Sequence, residues 1–163
     1  MKIGIVGTGA LGGWYAALLA EAGHEVHCLA RSDFKAIQDN GLTIRNKGQE
    51  RTVRVASASP DAGTIGPCDL VVVTIKSTSN YALPELVTPL LGPSTIVVTL
   101  QNGMGNVEAL VKLLPIERVV AGLCFVCINR LAPAVIDTTL AGYVRMAAAT
   151  GPISVAVETC VIT

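Results

Sequence analysis

The chain alternates between short continuous apolar runs and longer stretches in which apolar residues recur every three or four positions. Residues 2–6, Lys-Ile-Gly-Ile-Val, predict a buried strand, and the glycines of residues 7–13 predict a turn. A helix follows, because Leu11, Tyr15, Leu18, Leu19 and Ala22 return at helical spacing and Gly23 is placed to end it. Residues 25–29 give a second strand, after which Ser32 is placed to cap a short helix reaching about Asn40. Residues 42–45 and 51–55 alternate apolar and polar around Asn46, Lys47 and Gly48, the pattern of an exposed β-hairpin.

Residues 69–75 and 94–100 are unbroken apolar runs of the kind a parallel sheet buries on both faces. Helices are expected at 79–91, interrupted by Pro84 and Pro89, and at 105–114, closed by Pro115. Beyond residue 118 the pattern holds strands without helices between them, at 119–128, 134–138 and 143–147. This order predicts a doubly wound α/β fold with a mostly parallel sheet, right-handed crossovers, a β-hairpin insertion and extra C-terminal strands.

Composition narrows the picture without changing it. At 163 residues the chain has the length of one domain, and 51% hydrophobic residues are ample for a core. Lys and Arg (12) balance Asp and Glu (12), so no broad basic field exists for a nucleic-acid backbone or an anionic membrane. Mean hydropathy is high at +0.57, yet the apolar runs are strand-sized and too short to span a bilayer. The first residues lack the features of a signal peptide, which leads to the expectation of a cytoplasmic protein. The cysteines, five in number, are scattered, which suits a reducing compartment. Cys124 and Cys127 read as extended, which would put them on opposite faces about 10 Å apart, too far for a disulfide. His24 and His27 have no cluster of further ligands, so no metal is expected.

Gly7-Thr8-Gly9-Ala10-Leu11-Gly12 is a G-x-G-x-x-G that follows a strand and opens a helix, the context in which the motif binds a dinucleotide in a Rossmann-type fold. Gly7 would make the tight turn, Gly9 would let a pyrophosphate approach the backbone, and Gly12 would let helix and strand pack closely. At the end of the second strand, where NAD enzymes place an acid, the sequence reads Ala30-Arg31-Ser32. Arg31 offers a planar cation suited to the extra phosphate of NADP. Asp33 is a rival for the ribose, but it lies beyond the tip and is placed in the first turn of the next helix. Lys76 and Asn102 sit at the carboxyl ends of two further strands, where open α/β sheets hold their ligands. Asn102 can donate and accept hydrogen bonds, and Gly103 permits an unusual backbone angle.

Residues 5–12, Leu29-Ala30-Arg31, Thr74-Ile75-Lys76, Gln101-Asn102-Gly103-Met104-Gly105 and residues 124–130 (Cys-Phe-Val-Cys-Ile-Asn-Arg) together resemble the N-terminal domain of the ketopantoate reductases over roughly residues 1–147. The resemblance implies NADPH-dependent reduction of 2-dehydropantoate to (R)-pantoate on the route to coenzyme A. It implies that residues 7–12 hold the pyrophosphate and Arg31 the 2′-phosphate. Lys76 would line the cofactor and active-site cleft, Asn102 would touch nicotinamide and substrate, and Ile128 would lie near a backbone contact to the cofactor. Reduction of another 2-keto acid, and NADP(H) binding without catalysis, are the alternatives; a flavin domain is disfavoured by the missing acid.

Family members are about twice this length, and their helical second domain supplies the lysine that protonates the new alkoxide. That domain is not expected in this sequence, and residues 148–163 read as a divergent or truncated tail. Self-association through the face the second domain would cover is a further expectation.

Overall fold

In the computed structural model, which describes residues 1–150 and 155–162, the first strand β1 (Lys2–Val6) is an inner strand of a nine-stranded sheet. It is followed by α1 (Ala10–Glu21), β2 (Glu25–Leu29), α2 (Phe34–Asn40), the hairpin β3 (Leu42–Asn46) and β4 (Gln49–Val53), and a short β5 (Ser57–Ser59). Then come β6 (Leu70–Val73), α3 (Leu83–Val87), β7 (Ile96–Thr99), α4 (Asn106–Leu110), two long strands β8 (Val119–Ala132) and β9 (Val135–Ala148), and α5 (Val155–Ile162). The strand order is β4-β3-β9-β8-β7-β6-β1-β2-β5. Every pairing from β7 through β6, β1 and β2 to β5 is parallel, as are β7 with β8 and β3 with β9. The predicted Rossmann-type fold is therefore the observed one.

The unbroken apolar runs have a direct explanation in the two core layers. Along β6, Leu70 and Val72 face the layer that holds Ile3, Ile5, Trp14 and Val26, while Val71 and Val73 face the layer that holds Leu83, Val87, Leu90 and Leu110. Both sides of the strand are covered, so no position is free to be polar.

Several boundaries differ from those the pattern predicts. On α1 the buried residues are Gly12, Gly13, Trp14, Ala16 and Ala17, whereas Leu18 is exposed. The helix lies so close to the sheet that a Cβ on Gly13 would meet Ile136 at 2.9 Å, and closeness selects small residues over the large apolar stripe. The hairpin β3–β4 is not an exposed appendage, because Leu42, Ile44 and Val53 are buried and β3 pairs with β9. The helix expected at 79–91 is a 3₁₀ turn (Ser77–Ala82), then α3, then a second 3₁₀ turn (Thr88–Leu90), with Pro84 and Pro89 each at a first-turn position. The helix expected at 105–114 is regular only over α4.

Ser32 does not cap α2. Asp33 holds the N-cap position, outside the first turn, and its side chain makes no capping bond. The strands expected at 134–138 and 143–147 are one strand, β9, antiparallel to β8 with irregularities near Cys127 and Arg130. The tail expected from residue 148 partly lies in residues 151–154 and 163, outside the described ones. Within it, α5 buries Ala156, Val157 and Cys160 in the same core layer as Trp14.

Candidate functional site

The turn between β1 and α1 is built by backbone and van der Waals contact. Gly7 has φ +97°, a left-handed conformation, and a Cβ there would meet Ile75 Cγ2 at 2.6 Å. A Cβ on Gly12 would come within 2.2 Å of the Gly7 carbonyl oxygen and 2.6 Å of Thr74 Oγ1. The Thr74 hydroxyl donates to the Gly7 carbonyl at 2.6 Å, and the Gly7 amide donates to the Leu29 carbonyl at 3.1 Å. The turn is thereby tied to both neighbouring strands.

Gly9 is the exception among these glycines. It is exposed with extended backbone, and a Cβ there would meet nothing within 4 Å. The amides of Thr8, Ala10 and Leu11 have no hydrogen-bond partner among the described residues, and no acid stands in the first turn of α1. Free amides and a helix N-terminus make this surface receptive to an anion.

Lys76 and Asn102 lie three residues beyond the ends of β6 and β7, on a cleft of about 330 Å³ lined by Leu11, residues 74–78, Leu100, Gln101 and Asn102. Both side chains are exposed and have no partner among the described residues. A buried polar network that the sequence pattern did not single out fixes the two strand ends relative to each other. The Gln101 amide donates to the Ile75 carbonyl at 2.9 Å and to Asn80 Oδ1 at 2.8 Å. Asn80 donates to Asn106 Oδ1 at 2.9 Å, and Asn106 donates to the carbonyls of Gln101 and Gly103. Gln101 and Asn106 are buried and satisfied, so the turn carrying Asn102 is pinned to the segment carrying Lys76.

Arg31 stands at the tip of β2, exposed and unpaired among the described residues. Neither Arg31 nor Ile128 lines the cleft; Ile128 is half-buried on β8, opposite Thr138, and packs on the core. Asp33, considered above as a rival ligand for a ribose, is buried and engaged: Arg130 donates to it from Nε at 2.6 Å and Nη2 at 2.5 Å, and the Ala134 amide donates at 3.2 Å. The guanidinium, with Ser32 and the Ala134 amide adding to it, holds the Asp33 carboxyl below the usual carboxylate range.

All five cysteines are free, and burial raises Cys28 to about 12 and pushes Cys68, Cys124 and Cys160 up as well. Cys124 is buried and Cys127 exposed, on opposite faces of β8 as extended spacing requires. Among the described residues no group of three or more His, Cys, Asp or Glu could hold a metal, and no helix is long and apolar enough to cross a membrane.

Glycine turn, helix start and the ends of β6 and β7 lie along the carboxyl edge of the parallel strands, which places the molecule among the Rossmann-type α/β domains. The chain belongs to the ketopantoate reductase PanE/ApbA family, whose model matches residues 3–151. A 2-dehydropantoate 2-reductase of Nostoc sp. is 41% identical over 130 residues, 80% of this chain and 41% of the relative. The crystal structure of 2-dehydropantoate 2-reductase from Geobacter metallireducens superposes with a TM-score of 0.92 at 38% identity, over 98% of this chain and 53% of that one. The corresponding enzyme from Methylococcus capsulatus gives 0.88 at 29%, over 98% and 52%. The chain thus spans about half the length of the relatives it matches.

Proposed function

We propose that this chain is the NADP(H)-binding unit, residues 1–147 with a divergent tail at 148–163, of a reductase that converts 2-dehydropantoate to (R)-pantoate. The observation that carries the reading is the glycine turn: a surface with open space over Gly9, three unpartnered amides and no competing carboxylate fits a pyrophosphate. Family membership supports the substrate.

Residues 7–12 (Gly7, Thr8, Gly9, Ala10, Leu11 and Gly12) would hold the pyrophosphate, and Arg31 would take the 2′-phosphate through its guanidinium fork. Bound NADPH would supply a hydride to the keto carbon. Asn102 would orient the substrate carbonyl by donating from its amide, and Lys76 would place a cation in the same cleft, drawing in the carboxylate of a 2-keto acid. Ile128 would contribute backbone to the cofactor. The proton for the new alkoxide is assigned to a lysine of the second domain typical of the family, so the chain alone is expected to turn over slowly or not at all.

The test is titration of the purified chain with NADPH and NADH, followed by nicotinamide fluorescence, with Arg31→Ala as control. Tighter NADPH binding that the substitution abolishes supports the reading, and binding of neither nucleotide refutes it. The exposed apolar residues Leu123, Phe125 and Tyr143 on the β8–β9 ribbon fit self-association of the isolated chain. Light scattering across a concentration series, repeated with Phe125→Ser, tests that: an unchanged monomer mass throughout refutes it.

A further inference from the structure

We infer that Arg130 is a positioning residue for cofactor choice: by capturing the Asp33 carboxylate it removes the acid that would otherwise oppose a 2′-phosphate at Arg31. The inference rests on the cofactor reading proposed above and adds to it a residue on a distant strand.

The segment from Leu29 to Asp33 is held at both ends. At its start, the Leu29 carbonyl accepts from the Gly7 amide at 3.1 Å and from the Thr8 hydroxyl at 3.3 Å. At its end, Asp33 is fixed by Arg130 and by the Ala134 amide, both brought from 97 or more residues away by the β8–β9 pair. Arg31 lies between the two anchors, exposed and unpaired among the described residues. The clamp therefore sets where the Arg31 backbone stands relative to the glycine turn.

The charge argument is independent of the positional one. Two chain steps separate the Cα atoms of Arg31 and Asp33 by at most about 7 Å, inside the Debye length at physiological salt. A carboxylate at an N-cap ordinarily accepts from the amides of the helix it begins. Asp33 does not: its side chain makes no such bond and turns to Arg130 and Ala134 instead. Its side chain is 4% exposed, whereas that of Arg130 is 37% exposed, so solvent reaches the cation and not the acid. Without Arg130 the carboxylate would regain its negative field at the turn, repel a phosphate dianion, and be free to accept from ribose hydroxyls, the arrangement NAD-binding sites use. Arg130 thus converts a residue suited to NAD into a neutralised support for NADP.

Arg130→Gln, Asp33→Asn and the double substitution are compared with the unaltered chain by titration with NADPH and NADH, each variant first checked by urea unfolding. Arg130→Gln is expected to lower the ratio of NADPH to NADH affinity by about tenfold or more, the scale of one uncompensated charge near a phosphate. Adding Asp33→Asn should restore the ratio, and Asp33→Asn alone should keep it or raise it. If Arg130→Gln weakens both nucleotides equally, or Asp33→Asn alone lowers the ratio, the pair is a structural clamp only and the inference is overturned. Should Arg130→Gln fail to fold, the double and single Asp33→Asn variants decide the matter by the same ratio. An unaltered chain that binds neither nucleotide refutes the cofactor reading itself, a failure distinct from an unaltered chain that prefers NADPH and keeps that preference without Arg130.

Discussion

Two turns at the carboxyl edge of the sheet, only a strand apart, are built from opposite materials. The turn after β1 uses backbone and close contact: Gly7 in a left-handed conformation, Gly12 against the Gly7 carbonyl, and one hydroxyl, Thr74, binding that same carbonyl. The turn after β2 uses charge: Arg31 exposed, Asp33 buried, Arg130 reaching in from β8. The first has no room for an added atom at Gly7 or Gly12, and its bonds join uncharged groups. The second rests on an ion pair and answers to protonation of Asp33. In the proposed site, holding a diphosphate and telling two nucleotides apart would be divided along the same line.

The sharpest way to break the comparison is Gly12→Ala. Its methyl would stand 2.2 Å from a backbone oxygen that cannot move without breaking the turn, so a loss of about 2–3 kcal/mol is expected in urea unfolding. A change below about 0.5 kcal/mol would mean that the turn yields.

Acidification should then act on the other turn. The carboxyl of Asp33 is held below its unfolded value, so its contribution is fully present above about pH 4–5 and is lost as pH falls through the lowered folded value. The expected loss is about 1–2 kcal/mol, discounted because water reaches the guanidinium. Unfolding followed from pH 6 to pH 2 should show this slope, and Asp33→Asn should flatten it.

Thr74→Val removes the one hydroxyl that binds the Gly7 carbonyl and should cost about 1 kcal/mol, equally at pH 7 and at pH 4. A pH-dependent cost would blur the distinction between the turns. Gly9→Val should have the smallest effect on stability, near zero, since a Cβ there meets nothing and the backbone is already extended. The same variant should weaken nucleotide binding by about tenfold or more, about 1.4 kcal/mol, by filling the open space above the amides. Unchanged binding would remove Gly9 from the proposed site.

The difference between the turns also governs how much of each was legible in the sequence. The β1 turn is local: strand, glycine spacing and helix start lie within twenty residues, and the tight approach of Gly12 to the Gly7 carbonyl is internal to it. Lys76 and Asn102 were legible for a similar reason, as polar residues ending unbroken apolar runs. The partner of Asp33 was not legible, because it lies 97 residues away and its approach depends on how β8 and β9 pair. The links of Gln101 to Asn80 and Asn106 escaped notice because amide side chains carry no periodic signal, and only the fold makes them neighbours. β5 escaped too, a three-residue polar strand recognisable only through its pairing with β2. The hairpin β3–β4 was legible as a hairpin but not as part of the main sheet, since its pairing to β9 is invisible to alternation.

That last pairing has a consequence for the order in which the protein comes into being. Thr43 to Asn46 find their parallel partners in Val135 to Thr138, so the hairpin completes its sheet only after residue 138 has left the ribosome. Until then its inner residues Leu42 and Ile44 lack part of their cover, and the open edge of β3 is a surface on which nascent chains can pair with one another. Topology of this kind is slow to close, because the loop must be bridged before any contact rewards it. The hairpin therefore completes its pairing late, although it is made well before the strand it pairs with.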